Sequence, residues 1–440
     1  MKIDSTLTKV GSLRLFALGA WSELWRVLLP SSVRMSGAGI QFLSTVIIAR
    51  TLGEGGSAGF FFWSSVLMTS GPIASYGLEQ IALRNVPRLH RQGPEVVGRF
   101  LASLRCVSLS LSFLIGIGLI GYAIASEKPP GFHAWHLLLP VALASIAITL
   151  INGEALKGLA RPVAGVVFGH LIPVSLFCLL TAIFSRHLSS PGLLTLYTAS
   201  YLTAAIIVRF APVPDFRERL LALPKWESVR TVLREGFSVC CVNVFGALAF
   251  ILPLAYLEFT SPPAEVAYIT TAFRISILFF VLSHAIHGVF APALSTSADM
   301  PNPFRPVFRV YFKAIAITLA ALILPLGFGI AFPEVVMSIF GNSFKNGADA
   351  LRLLLILQLV TVCLGPVLQL LLMTGHTVLM ARLGVLKIIF GVALSLILIP
   401  RFGGVGMVVA LGVTSIAEEV FGLGYAVVML KKSSLVVEPS

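Results

Sequence analysis

The chain has 440 residues, of which 57% are hydrophobic and 12% charged, with a formal net charge of +13. Soluble domains carry about 25% charged residues, so half that share along the whole length excludes an ordinary soluble fold. An all-α polytopic membrane protein is expected, and the basic excess belongs to its topology rather than to nucleic acid.

Residues 1–32 come first. The run Leu15–Trp21 is too short for a secretory signal and lacks a small-residue cleavage site after it. Residues 12–29 (SLRLFALGAWSELWRVLL) read instead as an amphipathic helix on the membrane surface, with Trp21, Trp25, Arg14 and Arg26 at the headgroups. A helix needs about 20 mainly apolar residues to cross the hydrocarbon. Twelve stretches qualify: 33–51, 57–83, 100–125, 134–156, 162–184, 192–210, 236–257, 264–291, 307–331, 350–374, 377–399 and 404–429. The longest stretch between them, 211–235, divides the spans six and six, into bundles at 33–210 and 236–430. A tail follows at 431–440.

Lysine and arginine are distributed unevenly over the two sides. Twenty-four fall at the N-terminus, the even-to-odd loops and the tail, and six (Arg50, Lys128, Arg186, Lys345, Arg352, Arg401) on the opposite side. Basic residues accumulate in cytoplasmic loops, so both termini are expected in the cytoplasm. Two basic residues remain, Arg274 and Lys387, both deep inside spans.

Arg274 stands about ten residues into span 8, roughly 15 Å deep. An arginine at such depth costs about 2.5–3.5 kcal/mol on insertion scales, so it faces a cavity or a partner. Thr270 and Thr271 lie one turn back and extend a polar stripe. Two readings stand: a ligand for a phosphate, which guanidinium binds bidentately, or an ion pair that braces helices. In span 1, Gln41 and Ser44 share a face, as Cys240, Asn243 and Ala247 do in span 7; close helix packing predicts the same small residues. His284 and His287 read as interface residues. Among the carboxylates, Glu79 is placed to pair with Arg84. Glu418 and Glu419, adjacent in span 12, are expected to pair with Lys387 or to carry a coupling ion. The five cysteines form no metal or redox motif, so no metal site is expected.

The halves echo each other. "TLGEGGSAGFFFWSSVL" enters span 2 as "TSPPAEVAYITTAFRIS" enters span 8, an offset of 209 residues, and transporters built from repeats place their substrate at the repeat interface. "IIARTLGEGGSAGFFFWSSVL", followed by "YGLEQIALRNVPRL", resembles the opening of bacterial polysaccharide-biosynthesis membrane proteins. In these, a span ending in Ala-Arg meets a Leu-Gly turn and a small/aromatic run. "LLLMTGHTVLMARLGVLKIIFGVALSLILIPRFGGVGMVVALG" is similar to their span 10–12 region. These are oligosaccharide flippases of the multidrug/oligosaccharidyl-lipid/polysaccharide exporter superfamily.

The resemblance implies two six-helix bundles around a central cavity that opens alternately to each side of the bacterial inner membrane. Its cargo is a polyprenyl-pyrophosphate-linked oligosaccharide, and its partners are membrane lipids and other polysaccharide-assembly proteins. Arg274, Lys387 and Arg50 are the cations expected at the cavity. The chain departs from lipid II flippases, which carry more arginines in spans 1 and 2; here arginine stands only at the ends of span 1, Arg34 and Arg50. A surface-polysaccharide unit is therefore favoured.

A multidrug antiporter of the same superfamily is the first alternative, but spans 1 and 7 lack a mid-depth carboxylate. A polysaccharide polymerase or ligase is the second, and the longest external connection, 332–349, holds only Glu334 and Asp349 as acids. No enzyme activity and no cofactor are expected, and there is no GxxxxGK[ST] phosphate loop. Na⁺ or H⁺ coupling stays open. Reporter fusions after residues 128 and 345 are expected to read external, and one after 222 cytoplasmic. A cytoplasmic signal at 128 would overturn the orientation of the first half.

Overall fold

The computed structural model describes residues 4–126, 131–184, 189–210, 226–298, 300, 302–374 and 376–435. Side chains before Leu29 are not described, so the interfacial reading of Arg14, Trp21, Trp25 and Arg26 lies outside the described residues. So do 211–225 of the linker and 436–440 of the tail.

The protein is an all-α multi-pass membrane protein. Nine helices among the described residues are long and apolar enough to cross a bilayer. Two of these each contain two crossings. The helical run Asp4–Ala74 bends at Gly53 (φ 68°), and Thr377–Leu435 bends at Gly403 (φ 56°). Gln41 and Ser64 line one cavity, although a straight helix would hold them roughly 35 Å apart. Lys387 and Glu418 form an ion pair at 2.9 Å, which a straight helix would separate by roughly 46 Å. Both runs therefore fold back at their glycine, where positive φ costs little without a β-carbon. Adding Ser190–Ile207 as the sixth span, the described helices make the twelve crossings expected.

The remaining spans are Pro94–Ser126 (span 3), Ala134–Gly158 (span 4), Pro162–Phe184 (span 5), Trp226–Thr260 (span 7), Pro263–Ala298 (span 8) and Phe304–Ala331 (span 9). Span 10 is broken at Gly365–Pro366 into Ala348–Leu364 and Val367–Met373. That break was not expected from its unbroken apolar run. Span 2 also stops sooner than expected, at Ala74. Tyr76 and Gly77 take positive φ and open a separate helix, Leu78–His90. Close approach explains it: a β-carbon on Gly236 would lie 2.7 Å from the Tyr76 carbonyl oxygen. The last ten linker residues are helical and belong to span 7.

Spans 1 and 2 pack on spans 7 and 8, joining the two halves. Within the first half, Gly153 of span 4 meets Gly165 and Gly169 of span 5. A β-carbon on Gly153 would fall 2.9 Å from the Gly165 oxygen and 3.0 Å from the Gly169 Cα. Small residues let membrane helices approach to this backbone distance. Exposed Leu114, Ile117, Leu324, Phe328, Phe421 and Val428 face outward, where lipid replaces water as the solvent for apolar groups.

Span 12 starts against span 8. The Gly404 N–H donates to Glu265 Oε1 at 2.6 Å, which satisfies one of the free donors at a helix start and places negative charge at its positive end. A β-carbon on Gly403 would fall on that carboxylate. Gly403→Ala is expected to lower the melting temperature in detergent, by about 1–3 kcal/mol of strain. Gly424→Ala, which meets open space, is expected to leave it unchanged.

Candidate functional site

A cavity of about 260 Å³ lies between the halves, bordered by spans 1, 2, 5, 6, 7 and 8. Span 1 contributes Arg34, Gln41, Ser44 and Thr45, and span 2 Ser64, Ser65 and Thr69. Span 8 contributes Thr270 and Arg274 on one face, while His170, Tyr197 and Tyr201 close the side toward spans 5 and 6. Its charged lining residues are Arg34 and Arg274, and none of the lining residues is a carboxylate. The cavity is cationic, with aromatic walls.

Arg274 reaches across to the other half. Its Nη2 donates to Ser64 Oγ at 2.6 Å and approaches the Phe61 carbonyl oxygen at 3.5 Å. Its Cζ stands 4.9 Å above the Phe61 ring, a cation–π contact. Ser64 is adjacent to Ser65, the residue that the 209-residue offset makes equivalent to Arg274, so the contact joins matching points of the repeat. Nε has no partner, and no carboxylate is within salt-bridge distance among the described residues. The bracing ion pair is therefore absent among those residues, and the guanidinium keeps unsatisfied donor capacity beside the cavity.

The other expected residues are dispersed. Ser44, Gln41 and Thr270 join Arg274 at the cavity, but Thr271 points away, buried, its hydroxyl unpartnered among the described residues. Asn243 is drawn off by span 2: its Nδ2 donates to the Pro72 carbonyl at 3.1 Å and to Glu79 Oε1 at 3.4 Å. Glu79 also accepts from Ser75 Oγ at 2.6 Å. It does not pair with Arg84, which turns outward to Glu235. Arg50 is not a cavity cation either. Exposed on the side opposite the termini, its Nε donates to the Ile339 carbonyl at 2.6 Å. Lys387 is committed to Glu418 inside the second half. Glu419 turns the other way, to a separate pocket of about 140 Å³ beside His287 and Ser283. Composition did not single out His170, Tyr197 or Tyr201, since apolar spans carry such residues for packing as well. Arg105 is buried in span 3 and donates to Asn152 Oδ1 at 2.7 Å.

On the side opposite the termini the halves touch. Tyr268 binds Glu54 and receives a 3.4 Å contact from Asn346, and the Tyr122 hydroxyl donates to Glu258 at 2.9 Å. Phe42 meets Phe340 edge-on at 5.3 Å. On the side of the termini, Arg34 is exposed while lining the cavity.

No family model matches the chain. Among solved structures, an inward-facing multidrug resistance MATE family transporter of the MOP superfamily superposes with a TM-score of 0.69. It covers 92% of this chain and 99% of its own, at 16% identity. This chain has the MOP superfamily fold. A second structure, at TM-score 0.60, 15% identity and coverage of 93% and 95%, is a MOP superfamily transporter from Pyrococcus furiosus. Its description reads "reverse polarity of binding pocket suggests different function". In sequence, the chain is similar to the "Probable low-salt glycan biosynthesis flippase Agl15" of Haloferax volcanii. The identity is 24% over 407 residues, spanning 88% of this chain and 80% of that protein. The Haloferax volcanii protein is named as a flippase, the kind that the span 1–2 and span 10–12 motifs resemble, whereas the inward-facing structure is a multidrug transporter, the first alternative.

Lys387 and Glu418 supply a check on the second half. Removing either partner leaves a charge unpaired in a low-dielectric setting. Lys387→Met and Glu418→Gln are each expected to lower thermal stability, and the double variant to recover part of the loss, a coupling of about 0.5–3 kcal/mol. Additive losses would show that the pair contributes nothing.

Proposed function

We propose that the protein is an alternating-access flippase for a polyprenyl-pyrophosphate-linked oligosaccharide, a surface-polysaccharide repeat unit. The observation that carries this reading is the cavity: its charge is wholly cationic among the lining residues, and its deepest cation, Arg274, is held only by neutral groups. A diphosphate supplies the oxygens that such a guanidinium lacks. The similarity to a protein named as a glycan biosynthesis flippase supports it.

In this reading the membrane is the bacterial inner membrane and both termini are cytoplasmic, as the basic asymmetry indicates. The contacts of Arg50, Glu54, Tyr122 and Tyr268 then close the external side, and the cavity opens inward past Arg34. The headgroup enters from the cytoplasm while the polyprenyl tail remains in lipid. Rocking of the halves about spans 1, 2, 7 and 8 re-exposes it outside. Glu418 is occupied by Lys387, which leaves Glu419 as the carboxylate for coupling to Na⁺ or H⁺.

The rival is a multidrug antiporter, supported by the MATE structures that share the fold. Cationic drugs meet the wrong sign here, since like charge in a dry cavity is repulsive. The Pyrococcus furiosus transporter is a precedent for linking reversed pocket polarity to a change of function on this fold.

Arg274→Ala is expected to insert normally, because it removes an insertion cost. It should nevertheless reduce polysaccharide export in a deletion strain by about ten- to a hundredfold, the loss of a hydrogen bond to a charged group. Arg274→Lys should retain part, keeping charge without the bidentate fork. Full restoration by a well-expressed alanine variant would remove Arg274 from the phosphate site.

A further inference from the structure

Span 5 is not a regular α-helix along its whole length. Its helix widens into one π-turn over Val167–Leu171, between ordinary helix at Pro162–Val166 and Ile172–Phe184. Such a turn inserts a residue, loosens the backbone ladder, and recurs at functional sites. The glycine contact of Gly165 and Gly169 with Gly153 fixes one face of this helix against span 4. With that face fixed, the widened turn presents His170, the next residue, roughly a quarter-turn around the helix toward span 1.

There the ring lines the cavity. It lies so close to span 1 that a β-carbon on Gly37 would fall 2.8 Å from His170 Cδ2 and 3.2 Å from Nε2. Arg34, three residues before Gly37 and therefore on the same helix face, lines the same end of the cavity. Among the described residues His170 makes no hydrogen bond through its ring. A donor and a cation thus stand together, facing open space.

Their level relative to Arg274 follows from the fold-back at Gly53. Ser64, which binds Arg274, is eleven residues beyond the bend, and Gly37 is sixteen before it. Five residues of helix, roughly 8 Å, separate the two levels. Arg274 and the His170–Arg34 pair thus line two successive levels of one cavity.

We propose that His170 and Arg34 form the second end of a grip on the diphosphate. Arg274 takes one phosphate, while the His170 Nε2–H and the Arg34 guanidinium take the other. The cavity thereby selects a diphosphate headgroup over a monophosphate one. This rests on Arg274 being a phosphate ligand. The role of His170 is to read the length of the anion.

The test is calorimetric binding of inorganic pyrophosphate, inorganic phosphate and farnesyl pyrophosphate to the purified full-length protein in detergent. The wild type is expected to prefer pyrophosphate. His170→Ala and Arg34→Ala should each weaken pyrophosphate about tenfold, as for one bond to a charged group, and leave phosphate unchanged. His170→Gln, which keeps an N–H donor, should recover part. Gly37→Ala displaces the ring without altering cavity charge and should reproduce the His170→Ala pattern, so the outcome does not hang on one variant's folding. Equal losses for both anions, or no loss at His170 while Arg274→Ala abolishes binding, overturn the grip alone. Unchanged binding in Arg274→Ala overturns the phosphate reading of the cavity as well. Tighter binding of farnesyl pyrophosphate than of pyrophosphate supports a lipid-linked source; equal binding rules against it.

Discussion

A guanidinium roughly 15 Å into a bilayer costs about 2.5–3.5 kcal/mol to place there. At Arg274 that cost is met by a hydroxyl, a carbonyl and an aromatic face, all from span 2. None of these carries charge, so the field of the cation extends into the cavity instead of ending on a partner. Because Arg274 sits on span 8 and its partners on span 2, the charge also lies on the seam between the halves. The placement of spans 1, 2, 7 and 8 around it, and the lack of acids among the lining residues, follow the same constraint. A carboxylate here would close the cation off and bind the halves together more firmly than a serine does.

Much of the architecture was legible because bilayer thickness and the basic asymmetry act on long stretches of sequence. The twelve crossings and the six-and-six division needed only hydropathy. The breaks did not show. Gly365–Pro366 is a breaker dipeptide whose signal hydropathy averages away, and the Tyr76–Gly77 turn depends on how closely Gly236 passes, a contact 160 residues away in sequence. Glycine bends were visible as glycines, but not which of the 38 would take positive φ.

The cavity was legible in part, for a related reason. Depth along one helix is a local property, and it pointed to Arg274, Thr270, Gln41 and Ser44, which line the cavity. Pairing is not local. Arg50, Asn243 and Arg84 each had a competing partner contributed by another segment: the Ile339 carbonyl, the Pro72 carbonyl and Glu235. Thr271 differs from Thr270 by one position, about 100° around the helix, enough to turn it from the cavity into the packed interior. His170 was hidden because apolar spans carry such residues for packing as well, and its facing depends on a π-turn that the sequence does not mark.

The side opposite the termini is closed by polar contacts at Arg50, Glu54, Tyr122 and Tyr268 and by apolar packing such as Phe42 on Phe340. The polar contacts contribute about 0.5–1.5 kcal/mol each, and in the proposed cycle a cargo shifts the equilibrium only by as much as it prefers the other arrangement. Net direction in that proposed cycle is a matter of detailed balance: whichever face of the membrane consumes the cargo faster draws the equilibrium toward itself.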